Sequence, residues 1–358
     1  MSGIAKKLIS ASGAGDEGAT LAYIVSSTDD SITSIDISDP SNLTELDSLD
    51  LFASLNTASG VALDLTNQVA YVCTAVFDRI TSIDISDPSN LTELDSLDSG
   101  SLGGAVGIAL DLTNQVAYVT SENDNRITSI DISDPSNLTQ LDSLLSGSLN
   151  GVRGIALDLA DQVAYVAAEG SRSITSIDIS DPSNLTELDS LSSSGSLNGS
   201  SDVALDLADQ VAYVASQVAD SITSIDISDP SNLTELDSLS NANLNGARGI
   251  ALDPTNQVAY VVSFFDDSIT SIDISDPSNL TELDSLSSSS FEGAFGIALD
   301  LTNQVAYITL EEDNGVASID ISDPSNLTQL DSLFSGSLGG ARGIALDIPG
   351  PASTNAYE

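Results

Sequence analysis

The chain has no histidine and no tryptophan, one cysteine, one methionine, and eight basic residues against 54 acidic ones in 358. Each shortage removes a class of chemistry. Without histidine there is no Ser-His-Asp triad, no Cys-His pair and no His-ligated zinc site. The single Cys73 forms neither an internal disulfide nor a four-cysteine metal site, and it leaves the redox compartment open. A net charge of −46 repels phosphate backbones and anionic bilayers, which argues against nucleic acid and membrane as partners. No apolar run approaches the ~18 residues of a membrane-spanning helix. Residues 1–20 carry two lysines but lack the apolar stretch of a secretion signal. This points to the cytoplasm and leaves an extracellular site open.

What is present is a repeat. The tetrapeptide Asp-Pro-Ser-Asn recurs with its proline at Pro40, Pro88, Pro135, Pro182, Pro230, Pro277 and Pro324, at spacings of 47 or 48 residues. In the third copy Gly107–Asp111 is a short apolar run, Leu112–Gln115 has turn chemistry, and Val116–Val119 and Ile127–Ile132 are rich in β-branched residues. Asp134–Asn137 predicts a type I turn, with proline pre-setting φ at its second position. Leu138–Leu144 also fits one helical turn, but seven residues make a marginal helix, and an outermost strand tolerates such mixed polarity. Four short antiparallel strands per repeat predict an all-β, seven-bladed β-propeller; an open β-solenoid is the rival. The chain ends separate the two. No Gly-x-Ala-Leu-Asp run precedes Ala22-Tyr23-Ile24, yet a spare one, Gly343–Asp347, follows the last unit. The expected organisation is a polar tail over 1–17, a propeller over 18–349 closed by a composite blade, and a tail over 350–358.

The segment Ser-Ile-Asp-Ile-Ser-Asp-Pro-Ser-Asn-Leu at 129–138, repeated in every unit, resembles the LVIVD-type propeller repeat. The Gly-Ile-Ala-Leu-Asp and Val-Ala-Tyr-Val half resembles the YVTN and NHL repeats as well. The resemblance implies a blade and a ring. Families of this kind include scaffolds, binding modules and some hydrolases, and no site residue of theirs maps onto this chain. The near-identity of the copies suggests recent amplification of one unit, or design by repetition.

The turns between strands one and two and between strands three and four share one face and hardly change from copy to copy. The other loops share the opposite face and vary. Every Phe and every Arg falls in the variable class. Arg153, Arg248 and Arg342 each precede the glycine that opens an innermost strand, and Phe295 holds the same position in another copy, so these four are the candidate ligand-binding residues at the channel mouth. Planar guanidinium groups suit a carboxylate, phosphate or glycan. Phe77, Phe264, Phe265, Phe291, Arg79, Arg126 and Arg172 are the candidate interaction surface. On the constant face, the strand-one aspartates (Asp64, Asp111 and equivalents) and turn aspartates (Asp87, Asp134 and equivalents) offer oxygen ligands to Ca²⁺, although an aspartate before a turn ordinarily bonds local amides. Asn-Leu-Thr recurs from Asn42 to Asn326 and matches the glycosylation pattern, but turn formation accounts for it more simply. Cys73 stands where other copies place Val25, Thr120, Ala167, Ala215, Val262 and Thr309, so it is interchangeable with small residues and reads as a buried, inert thiol.

Three functions compete. The favoured expectation is a non-enzymatic scaffold or interaction module that binds protein or self-assembles through its variable face. An anionic small-molecule or glycan binder at the channel mouth ranks second. A carboxylate-based, metal-assisted hydrolase ranks last, for want of histidine. The charge excess also predicts a halophile-like protein whose stability rises with salt.

Overall fold

In the computed structural model, residues 20–348 and the short strand Thr354–Asn355 are described. Seven four-stranded antiparallel sheets form the blades of a ring. Blade 1 is composite: Ala341–Asp347 is its innermost strand, followed outward by Leu21–Ser26, Ser31–Asp36 and Thr44–Asp50. Leu21 pairs with Asp347, Tyr23 with Ala345 and Ile24 with Ile344, so the two ends of the chain share one ladder. Blades 2 to 7 begin with the innermost strands Ala58–Asp64, Ala105–Asp111, Val152–Asp158, Ser200–Asp206, Ala247–Asp253 and Ala294–Asp300. The ambiguous fourth segment is a strand, Thr139–Leu145 in blade 3.

The second strands of the blades are buried along their whole length, as in Val116–Ser121 and Val163–Ala168, because another blade covers each face. This is why they read as continuous apolar runs rather than alternating ones. The core is accordingly a ring of inter-blade layers: Tyr118, Ile127 and Val116 of blade 3 pack with Ile155, Val166 and Ile177 of blade 4. Blade 1 meets blade 7 in the same way, through Ala22, Ile24, Tyr307 and Val316. The outermost strands are half exposed and carry Glu and Asp, which discourages edge-to-edge pairing with other chains.

Polar clasps repeat between the blades of the constant face. Asp142 Oδ2 accepts from the Leu185 amide of the next blade at 2.8 Å, and Asp331 closes the ring onto Leu43 at 2.8 Å. Ser129 donates to the Pro182 carbonyl at 2.6 Å, and Ser318 to Pro40 at 2.6 Å. Tyr118 donates to Ile179 O at 3.4 Å, and Tyr307 to Ile37 O at 3.4 Å. Each repeat therefore carries its own fastening to its neighbour.

One boundary differs from expectation. Thr354–Asn355, expected in a terminal tail, adds a fifth strand to blade 7 on the channel side, pairing with Leu299 and Ala298. The rest of that tail and the tail over 1–17 lie outside the described residues. Among the described residues no helix is long and apolar enough to cross a membrane.

Candidate active site

The seven innermost strands line the channel, and their second residues form its lip on the variable face: Ser59, Val106, Arg153, Ser201, Arg248, Phe295 and Arg342. The next position is glycine in six blades, and the close approach of adjacent strands explains it. A Cβ on Gly60 would lie 2.5 Å from the Val106 carbonyl of the following blade.

Three expected site arginines stand on this lip, all in ion pairs or ring contacts. Arg153 meets Glu122 at 2.9 Å and Glu169 at 2.8 Å. Arg342 donates Nε and Nη2 to Glu311 Oε1 at 2.8 and 2.7 Å. The Arg248 guanidinium lies 4.0 Å from the Phe295 ring centroid and 5.2 Å from that of Phe264. Arg342 flanks Phe295 from another position, at 5.3 Å. Glu122, Glu169 and Glu311 occupy one equivalent position, the first residue after the second strand. The lip thus holds three guanidinium groups, three carboxylates and an aromatic pair.

The expected interaction surface scatters. Phe291 is wholly buried in the layer between blades 6 and 7, so it presents nothing to a partner. Apolar burial outweighs loop placement there. Phe295 is buried too, between its guanidinium neighbours. Phe265 is exposed and sits edge-on to Phe264, with ring centroids 5.3 Å apart. Phe77 packs edge-on to Phe52 at 6.1 Å, under Arg79, which also donates to Ala53 O at 2.6 Å and meets Asp98 at 3.3 Å. Arg126 turns outward to the Ser143 hydroxyl of its own blade, at 3.4 Å. Arg172 holds a left-handed backbone position (φ 58°) that other blades give to Asp or Asn. There the side chain normally accepts the amide that precedes the next blade, as Asn125 does from Gly151 at 2.8 Å and Asp220 from Gly246 at 2.9 Å.

The carboxylates of the constant face are spent on turns. Asp64 accepts from the Thr66 and Asn67 amides at 3.0 Å each and from the Asn67 side chain at 2.7 Å. Asp87 accepts from the Ser89 hydroxyl at 2.6 Å and amide at 3.0 Å, which holds its carboxyl below the usual range. Among the described residues, no group of three or more Asp, Glu or Cys side chains is placed to hold a metal ion. Cys73 is fully buried, and desolvation pushes its thiol up to about 12, as an inert thiol requires.

Two features escaped the reading of the sequence. The first is Asp202, the one acid in the otherwise invariant glycine column of the lip. It is buried, it accepts from the Val203 amide at 2.9 Å and the Ile250 amide of blade 6 at 3.1 Å, and desolvation raises its carboxyl well above the ordinary range. Aligning the seven copies by column exposes it. The second is an apolar collar at the opposite channel end, where Leu112, Leu159, Ala62, Leu63, Leu110 and Leu157 line a cavity of about 230 Å³.

Comparison with known proteins adds two family models. The LVIVD repeat matches at residues 21–50, 60–99, 114–145, 258–287 and 304–333, and the seven-bladed β-propeller lactonase family matches at 134–271. No curated protein sequence matches the chain. Among solved structures, one from Bacteroides fragilis, provisionally named a 6-phosphogluconolactonase, superposes with TM-score 0.79 at 10% identity, covering 94% of this chain and 100% of its own. The periplasmic gluconolactonase of Pseudomonas aeruginosa gives 0.77 at 10% identity, covering 92% and 100%. A functionally unknown protein from Desulfotomaculum acetoxidans gives 0.73 at 14% identity, covering 92% and 99%. At such identities the likeness to solved structures is one of fold. The lactonase match overturns the expectation of a non-enzymatic scaffold, because the stretch it covers includes Arg153, Glu169, Asp202, Arg248 and Phe264.

Proposed function

Since the chain is a seven-bladed propeller of LVIVD repeats, we propose that it opens cyclic esters at the channel lip, with an uncharged sugar lactone as substrate. One observation carries this reading: the segment resembling the lactonase family also supplies Arg153, Glu169, Arg248 and Phe264 of the lip, where guanidinium, carboxylate and aromatic groups meet. Hydrolysis adds water oxygen to the lactone carbonyl carbon and breaks the bond from that carbon to the ring oxygen. In this scheme Glu169 takes the proton from the attacking water and returns it to the departing ring oxygen. The product is a hydroxy acid. Arg248 faces the carbonyl oxygen and balances its developing charge, while the half-buried Phe264 meets the apolar face of the sugar and the buried Phe295 backs the Arg248 guanidinium.

The charge balance favours an uncharged substrate. Arg153 and Arg342 are paired with Glu122, Glu169 and Glu311, and the whole protein carries −46. A phosphorylated lactone meets a repulsive field, and the carboxylate product is expelled by it.

The test is ring opening of gluconolactone and of its 6-phosphate, followed against the spontaneous rate. Glu169→Gln is expected to lower kcat by about 10²–10⁴-fold, and Arg248→Ser by about 10²–10³-fold. Gluconolactone should be favoured at least tenfold at low salt, with the gap narrowing in molar salt. Wild-type rates equal to the spontaneous one would refute hydrolysis, whereas preference for the phosphate would refute only the charge argument.

A further inference from the structure

Every lip arginine is backed by a buried polar side chain from the preceding blade, and no other lip residue is backed in this way. Thr120 of blade 3 donates to the Arg153 carbonyl of blade 4 and accepts the Gly107 amide of its own blade at 3.0 Å. Thr309 of blade 7 donates to the Arg342 carbonyl of blade 1 at 2.6 Å and accepts the Gly296 amide at 2.8 Å. Ahead of Arg248, the column occupied by these threonines holds Ala215. There Asp202 does the work from the innermost strand, holding the Ile250 amide two residues past the arginine at 3.1 Å. Ahead of the other lip residues, Ser59, Val106, Ser201 and Phe295, the threonine column reads Val25, Cys73, Ala167 and Val262, and the Asp202 column is glycine.

The coincidence is not a requirement of the fold, since four blades close without it. The Cys73 thiol makes only a 3.6 Å contact, to the Gly60 carbonyl of its own blade. A buried hydroxyl on the arginine carbonyl, or a buried carboxyl on an amide two residues further along, fixes the neighbouring strand laterally near the arginine. The guanidinium direction then depends on it, because a long side chain magnifies any shift at its root. Misplacing a reacting group by ~1 Å costs about 10²-fold in rate.

We propose that Thr120, Asp202 and Thr309 are positioning residues: each bonds the strand that carries one lip arginine of the next blade, at the arginine carbonyl for the two threonines and two residues further on for Asp202, and sets where its guanidinium stands. None of the three touches substrate. The proposal rests on the lip being the active site, but it also has a structural readout of its own.

The experiment replaces Thr120 and Thr309 by Val, singly and together, with Thr120→Ser as the conservative variant and Cys73→Ala as the matched change ahead of a lip position without arginine. Lactone opening and the Nε–Hε NMR signals of the arginines are recorded on the full chain. Thr120→Val should lower kcat by about tenfold or more, leave KM within about twofold, and move the Arg153 signal while sparing Arg342. Thr309→Val should do the converse. Thr120→Ser should restore both readouts, and Cys73→Ala should move neither. Unmoved arginine signals in the folded Val variants overturn the proposal whatever the activity. Moved signals in a protein that opens no lactone uphold positioning and refute the hydrolase reading.

Discussion

The two faces of the disc use the same strands for opposite ends. On the constant face one solution recurs: the outer-strand aspartate grips the next blade, as Asp142 grips Leu185, and the turn aspartate folds back on its own turn. At the lip of the variable face, equivalent positions hold Arg, Phe, Ser or Val, and their charges pair across blades, as in Arg153 with Glu122. Repetition maintains the ring where every blade faces the same task. Departures from repetition gather at the lip, where the side chains of different blades meet one another.

Substitutions on the constant face should cost stability and spare chemistry. Removing the grip by Asp142→Ala leaves the Leu185 amide without its acceptor and is expected to cost about 1–3 kcal/mol. Denaturant unfolding measures that loss, and lactone opening per folded molecule should stay unchanged. A matching fall in activity would erase the distinction between the faces.

Asp202 sharpens the comparison because it is a carboxyl near the lip that is held by strand amides rather than by a turn. Burial raises its folded value, while the unfolded chain ionises near the ordinary ~3.9. Below that ordinary value both states are protonated and the group's contribution is fully present. As pH rises toward the folded value, only the unfolded chain has lost its proton, and stability falls by about 1.4 kcal/mol per pH unit. Stability measured from pH 4 upward should therefore decline less in Asp202→Asn than in the wild type. Parallel curves would contradict the buried acid. The turn carboxyl of Asp87 has the opposite sign, since its Ser89 bonds lower its value. Its contribution is present above the ordinary value and is lost as pH falls through the lowered one.

The smallest effect concerns the molecule as a whole. With −46 net charge, raising NaCl from about 0.05 to 1 M shortens the screening length to about 3 Å and should raise Tm by a few degrees. A Tm that does not move would show that self-repulsion is already relieved within the fold.

The ring was legible in the sequence because its cause is local and repeated. Spacing of the proline turns gave the blade number, and the displaced Gly343–Asp347 run gave the closure seen against Leu21–Ser26. The lip arginines were legible as departures from a repeat. What they touch was not, because Glu122 reaches Arg153 across 31 residues and Phe291 turns inward from a loop that looks exposed. Function was misjudged on the absence of histidine, which excludes familiar triads but leaves guanidinium and carboxylate chemistry untouched. Asp202 was missed because a single acid among 54 acidic residues attracts no notice until the copies are stacked.

The most direct test is a crystal structure of the protein soaked with a non-hydrolysable lactam of the gluconolactone ring. The account predicts the ring at the lip, its carbonyl oxygen beside Arg248 and one face against Phe264. A ring bound instead at the leucine collar of the opposite mouth, or no bound ring at saturating concentration, would contradict it.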